Sequence, residues 1–211
     1  MCTTNEHTLM KFILTVLFLG YSVLANAQQK KFQIEGQVKT PNDSKYACLF
    51  IFSSVGVETI IKTPILNNHF TFKGVVSYNG LLSKSGAILL TNDTLSIAQN
   101  TYKNTNCRML MIDSLSILIE NQGNIKYATV EGSILNKELD EMNEAIKKEE
   151  YLKFFNSHQN SIISIMMLNV LIAIDHMLHF GNDEYRRIFS TLSKRIQQSI
   201  EGEKTARKLS L

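Results

Sequence analysis

The chain is poor in the patterns that announce chemistry. Its three cysteines include no C-x-x-C pair, so there is no dithiol redox motif. No serine sits in a Gly-x-Ser-x-Gly setting, and no hydrolase nucleophile is supported. No glycine-rich phosphate loop is present. The basic residues are scattered and the formal net charge is only +3; a nucleic-acid partner would need a clustered basic face, so none is expected. Two prolines and the lack of tryptophan exclude little.

What is present is an ordinary globular composition, 44% hydrophobic and 19% charged over 211 residues. That is enough for one or two small domains with a real core. The N-terminus carries a basic Met10-Lys11, an apolar run from Phe12 to Leu19, then Gly20-Tyr21-Ser22-Val23-Leu24, and Ala25-Asn26-Ala27. This is the order of a secretory signal with a small-x-small cleavage site. Its apolar run is too short for a spanning helix, which needs about 20 residues. Residues 1–27 therefore read as a signal peptide, with translation starting at Met1 or Met10. An uncleaved anchor is the alternative. No cysteine directly follows Ala27, so a lipoprotein anchor is not expected, and no stable membrane span should remain after cleavage. Cys2 would leave with the signal. Cys48 lies in an apolar strand and Cys107 in a polar loop. The pattern favours a buried Cys48 and a separate Cys107, and leaves their pairing open.

Between Phe32 and Val130 the apolar period is two. Phe32, Ile34, Gly36 and Val38 alternate with polar neighbours, as in a strand with one wet face. Tyr46 to Phe52 is almost continuously apolar, as in a strand covered on both faces. Asn67-Asn68 can close a hairpin, because asparagine tolerates positive φ. A second hairpin is expected around Thr91 to Thr94, joining Ala87–Leu90 to Leu95–Ala98. Met109–Ile112 and Leu115–Ile119 read as strands around Asp113-Ser114, and Ile125–Val130 as the last strand. Eight or nine short strands at this spacing predict an antiparallel β-sandwich over residues 28–133.

After Gly132-Ser133 the period changes to that of a helix: Leu135, Leu139, Met142 and Ile146 share one face. Asn136 is the expected N-cap, and the helix should run on through Asn143 to Phe155. Ile162 to Ile174 reads as a buried core helix. Tyr185, Ile188, Phe189 and Leu192 form the stripe of another, with Asp183 as its expected cap. Ser193 should cap a short continuation, and Glu201-Gly202-Glu203 should break the chain again. The expected class is thus α+β, a sandwich followed by a helical domain over residues 134–211.

Few residues are candidates for chemistry. His176 and His179 can share a helix face with Asp183 a turn further on, a conceivable metal site; two histidines beside a helix C-terminus also suit the macrodipole with no metal. Glu138, Asp140, Glu141 and Glu144 form a carboxylate cluster, read as a solvated, dipole-matched face rather than an acid pair. No catalytic, cofactor-binding or metal residue is assigned, and no cofactor is expected.

Several stretches together resemble a known family. They are FQIEGQV (residues 32–38), NNHFTFKG (67–74), IENQGNIKYATVEGSILNKEL (119–139), FFNSHQNSIISIMMLNVL (154–171) and YRRIFSTLSKRIQQSIEGEKTARKL (185–209). In this order they resemble the N-terminal domain of unknown function of envelope proteins of the thioredoxin-like, AhpC/TSA and TlpA type. In longer members a thioredoxin-like domain with a C-x-x-C follows the helical part. Here the chain stops at Leu211, so the resemblance carries over no catalytic residue. The signal, the strand-to-helix order and the lack of a chemical constellation lead to the expectation of an exported, non-catalytic module for protein interaction or structural support in the periplasm or cell envelope, and the resemblance implies an envelope thioredoxin-like protein as a partner. The alternative is a truncated or split thiol–disulfide oxidoreductase.

Overall fold

The computed structural model describes residues 29–39, 43–53, 55–78, 80–92, 106–120, 124–175 and 180–211. The expected signal peptide, the expected strand at 95–98, and His176 and His179 lie outside them. The described strands are β1 (Gln29–Val38), β2 (Tyr46–Ser53), β3 (Gly56–Pro64), β4 (His69–Ser77), β5 (Ser85–Thr91), β6 (Cys107–Met111), β7 (Leu115–Ile119) and β8 (Thr129–Glu131). The helices follow: α1 (Ile134–Lys147), α2 (Tyr151–Ser157), α3 (Ile162–Ala173), α4 (Asn182–Thr191), α5 (Lys194–Gln197) and α6 (Ile200–Lys208). The class is α+β, sheets first and helices after.

Two four-stranded sheets form, ordered β4-β1-β7-β8 and β3-β2-β5-β6. They bury a shared core: Ile34, Phe72 and Ile117 from the first face Leu49, Ile88 and Leu110 from the second. Each such side chain contributes roughly 1.5–3 kcal/mol when fully removed from water. The β1 alternation falls as expected, with Phe32, Ile34 and Val38 inward. Gly36 shares their face because the Phe70 ring lies over it; a Cβ there would sit 1.9 Å from Phe70 Cζ.

The sandwich is not purely antiparallel. β1 runs parallel to β7, from Ile34↔Leu115 to Val38↔Ile119. Alternation tells which face a side chain takes, not which way its neighbour runs, so the sequence could not show this. One expected hairpin, and one expected connection between strands, are crossings between sheets. Asn67 and Asn68 both have positive φ, and Leu66 and His69 exchange backbone hydrogen bonds across them. The turn is as expected, but β3 before it and β4 after it lie in different sheets. Asp113-Ser114 likewise leads from β6 in one sheet to β7 in the other.

The outer faces differ. That of the first sheet is polar, with Thr71, Glu35, Ser116 and Glu131 in one row across four strands. That of the second is apolar: Cys48, Phe50, Ala87 and Leu89 are buried there, with Phe52, Val57 and Ile60 beside them. β2 is therefore covered on both faces, as its unbroken apolar run implies.

The helical half differs from expectation mainly at helix ends. Ile125–Tyr127 is a single 3₁₀ turn, and only Thr129–Glu131 pairs as a strand. The N-cap of α1 is Ser133, whose Oγ accepts from the Asn136 N–H; Asn136 is buried. α1 stops at Lys147 rather than running to Phe155, because Glu149 takes a positive φ of 58° and ends the helix. The run Lys147 to Glu150 is exposed, as expected of a solvated stretch. α3 is the expected core helix, with Ile163, Ile165, Met167, Leu168 and Leu171 fully buried. The stripe of Tyr185, Ile188, Phe189 and Leu192 packs against it. Gly181, not Asp183, occupies the N-cap of α4.

Gly202 does not break the chain. It lies inside α6, and a Cβ there would come within 2.1 Å of the Ile196 carbonyl. The glycine serves close approach of α6 to the end of α5, which its sequence context disguises as a stop. Among the described residues no helix is long and apolar enough to cross a membrane.

Candidate functional site

Thiols come first, because they are the only strong nucleophiles in the chain. Cys48 on β2 stands opposite Leu89 on β5, and Leu89 stands opposite Cys107 on β6. All three side chains share the outer face of the second sheet. The two cysteines are thus two strand spacings apart, about 9–10 Å. A disulfide needs Cα atoms within roughly 7 Å, so Leu89 keeps them from pairing, and neither is in a disulfide. Burial pushes the Cys107 thiol up, and the charge of Lys126 only partly opposes this.

Arg108 does not activate Cys107, although it is the next residue. Successive strand residues point to opposite faces, and Arg108 takes the inward side with its cross-strand neighbour Ile88. Its Nη2 donates to both oxygens of Asp140 on α1, at 2.5 and 2.6 Å. A charge on the inward face of a strand demands such a partner. That position in the C-R-M-L-M alternation was the sequence signal for it.

The carboxylate cluster of α1 disperses into separate pairings. Glu138 accepts from the hydroxyl of Ser161, which caps α3. Asp140 holds Arg108. Glu141 contacts His158 Nε2 at 2.9 Å, just after α2. Glu144 pairs with Lys147 at 2.7 Å. With Ser133 as the cap, the first turn of α1 holds no acidic residue. Three of the four therefore tie α1 to its neighbours, and only Glu144 behaves as a solvated, screened pair.

One grouping has the residue types of a nucleophilic triad: Ser157 Oγ lies 3.0 Å from His158 Nδ1, and His158 Nε2 faces Glu141. Its protons are committed elsewhere. Ser157 Oγ bonds the carbonyls of Lys153 and Phe154, and Nδ1 lies 3.0 Å from the same Phe154 carbonyl. Ser157 has one hydroxyl proton, and its Oγ lies within reach of two carbonyls of its own helix, the usual back-bond of a serine at a helix end. The ring stacks on Phe154 and finishes the C-terminus of α2.

Asp183, the described member of the suggested metal set, has a side chain 99% exposed and pairs with Arg186 at 3.3 Å. Among the described residues no three His, Cys, Asp or Glu side chains come together to hold a metal ion.

The polar groups with the most structure around them lie at the seam between sheets and helices, and the sequence reading missed most of them. Asn136 Oδ1 accepts from the Met111 N–H at 2.9 Å, and its Nδ2 donates to the Met111 carbonyl at 2.9 Å. Asp113 receives Lys30 Nζ at 3.0 Å, the Ser114 N–H at 2.9 Å and the Ser133 hydroxyl at 3.2 Å. Burial alone would raise its carboxyl; the Lys30 bond, the Ser114 N–H, the Lys30 charge and the Ser133 hydroxyl together hold it below its ordinary value. No protein-family model matches this chain, and no curated protein matches it.

Proposed function

We propose that this chain is an exported, non-catalytic module that serves protein interaction or structural support in the cell envelope, beside a thioredoxin-like partner. The observation that carries the non-catalytic half is the register Cys48–Leu89–Cys107. Exchange chemistry needs an accessible thiolate and a second thiol to resolve the mixed disulfide. Here one thiol is fully buried, the other is pushed toward the neutral form, and a leucine stands between them. Export rests on the order of basic, apolar and small residues up to Ala27. The interaction half is supported by the polar outer face of the first sheet. There the Thr71–Glu35–Ser116–Glu131 row and the His69–Gln37–Leu118–Thr129 row line a shallow groove of about 320 Å³.

The test is insulin reduction by the purified chain. The expected rate is no greater than that of free thiol at equal concentration. Turnover that Cys107→Ser abolishes would overturn this reading in favour of a split oxidoreductase.

A further inference from the structure

A cavity of about 230 Å³ opens where the end of the second sheet meets α3 and α6. Phe52, Leu81, Ile162 and Met166 form its apolar side, and polar residues complete the lining. Three of the polar residues are already committed. Ser53 Oγ donates to the Gly56 carbonyl at 3.2 Å and accepts from the Val55 N–H at 3.3 Å. Lys84 is 3% exposed and paired with Glu58. Glu201 Oε1 is taken by the Leu82 N–H, and its Oε2 is buried out of reach. The other three are open. Ser83 is only 8% exposed, yet its hydroxyl has no hydrogen-bond partner among the described residues and keeps accessible surface. The Ser85 hydroxyl is in the same state, one residue beyond Lys84. Lys204 is exposed and makes no ion pair among the described residues. A hydroxyl can donate, and an ammonium can do nothing else. What a ligand can touch here is thus a set of donors beside an apolar wall.

We propose that this cavity binds a carboxylate on a short aliphatic stem. The carboxylate oxygens accept from the Ser83 and Ser85 hydroxyls, Lys204 supplies the counter-charge at the mouth, and the stem lies along Phe52, Leu81, Ile162 and Met166. The open groups select this class. An ammonium head would meet Lys204 with like charge, and Glu201 has one oxygen taken and the other buried. An alcohol would bond the hydroxyls and leave Lys204 without a counter-ion; hydrogen bonds to an ionised acceptor are roughly twice as strong as neutral ones. Inorganic phosphate would leave the apolar wall uncovered. The Glu201 charge behind the wall opposes an anion, but Lys204, one turn further along the same helix, offsets it. Size narrows the choice, because sites for drug-sized ligands run from about 300 Å³ upward. This one fits a single head and stem, either a small free acid or the C-terminal carboxylate of a partner ending in an aliphatic residue. The site stands apart from the reading of the thiols above and does not depend on it.

The experiment uses the purified full chain with ¹³C-methyl methionine, because Met111 and Met166 line the cavity and report from inside it. Pentanoate is titrated against pentylammonium and 1-pentanol, with acetyl-Gly-Leu bearing a free C-terminal carboxylate in a parallel arm. Saturable shifts of both methyls are expected with pentanoate, and at least tenfold weaker binding for the amine and the alcohol. Ser83→Ala should weaken pentanoate at least fivefold. Lys204→Ala changes an exposed side chain, so the test survives if Ser83→Ala does not fold. It too should weaken pentanoate at least fivefold, and it should leave pentanol binding unchanged. Peptide binding at least as tight as pentanoate's assigns the site to a partner's C-terminus; pentanoate binding without peptide binding assigns it to a free acid. No saturable shift with either carboxylate in the wild type, equal affinity for the amine or the alcohol, or undiminished carboxylate binding in either variant would overturn the proposal.

Discussion

Asn136 offers the sharpest test of how the two halves are joined. β6 is an edge strand, and the Met111 N–H and carbonyl would both lack a protein partner if Asn136 did not pair with them. Asn136→Ala removes both hydrogen bonds and leaves two buried backbone groups to find water. Each unsatisfied group costs about 1–3 kcal/mol, so the expected loss is about 2–6 kcal/mol. That is a large share of a total near 5–15 kcal/mol, and it lowers Tm by roughly 4–24 °C in a chain of this size. Urea unfolding followed by circular dichroism measures it, with Asn143→Ala on the exposed side of the same helix as the control, expected within about 0.5 kcal/mol of wild type. Asn136→Asp separates hydrogen bonding from packing. Its carboxylate keeps the acceptor for the Met111 N–H but faces the Met111 carbonyl with no proton. Its deficit should therefore shrink as the pH falls and the acid regains a donor. A loss below about 0.5 kcal/mol in Asn136→Ala would show that water already satisfies Met111, and would refute the reasoning.

Three further outcomes follow from the packing and the charges. Asp113 is held below its ordinary pKa in the fold, so its contribution is present above about pH 4 and is lost as the pH falls through the folded value; urea midpoints of wild type and Asp113→Asn should differ most at pH 5–7 and converge below pH 4, and a constant gap would remove the Lys30 pairing as the cause. Leu168→Asp places an unpaired charge in the fully buried face of α3, and a loss of about 3–5 kcal/mol or outright failure to fold is expected; an unchanged melting curve would put that side chain in solvent. Gly202→Ala gains helix propensity worth about 1 kcal/mol, yet its Cβ meets two carbonyls within 2.5 Å. A net loss of about 1–3 kcal/mol is expected from overpacking, and a stabilised variant in thermal melting would show that α5 gives way.

The sequence made the class legible, because period two and period 3.6 are imposed by the faces that must be buried. Phe32, Ile34 and Val38, or Leu139 and Met142, could be assigned to a core from spacing alone. Spacing carries no strand direction, so the parallel β1–β7 pairing stayed hidden. It also carries no partner for a polar residue. Asn136 looked like a cap because asparagine favours that position, and only the neighbouring edge strand shows why it is buried instead. Gly202 looked like a break for the same reason: its environment, a carbonyl of the preceding turn, is tertiary. The cysteines were open on sequence because pairing depends on register. One intervening strand, with Leu89 in the row, decides it. In the seam, the inward Arg108 was readable from the strand alternation.

The change of period at Gly132 marks a change of secondary structure, and it does not mark independence of the two halves. β6 serves both cores within five residues: Leu110 packs into the sandwich, Met111 into the helical cluster, and Arg108 reaches across to Asp140. Ser133, which starts the first helix, also bonds Asp113, which in turn holds Lys30 on β1. Gly132 alone separates β8 from that cap. A true linker would carry few contacts across it, whereas here one strand and one helix cap carry a buried amide, a partly buried ion pair and a shared carboxylate. Two cores of different geometry meet along this line, and sheet pleats and helix ridges do not interdigitate as either does with its own kind. The interruption in packing falls where Phe52 and Met111 of the sheet face Ile162 and Met166 of α3. That a cavity of about 230 Å³ lies at this seam, and not inside either core, follows from the same mismatch.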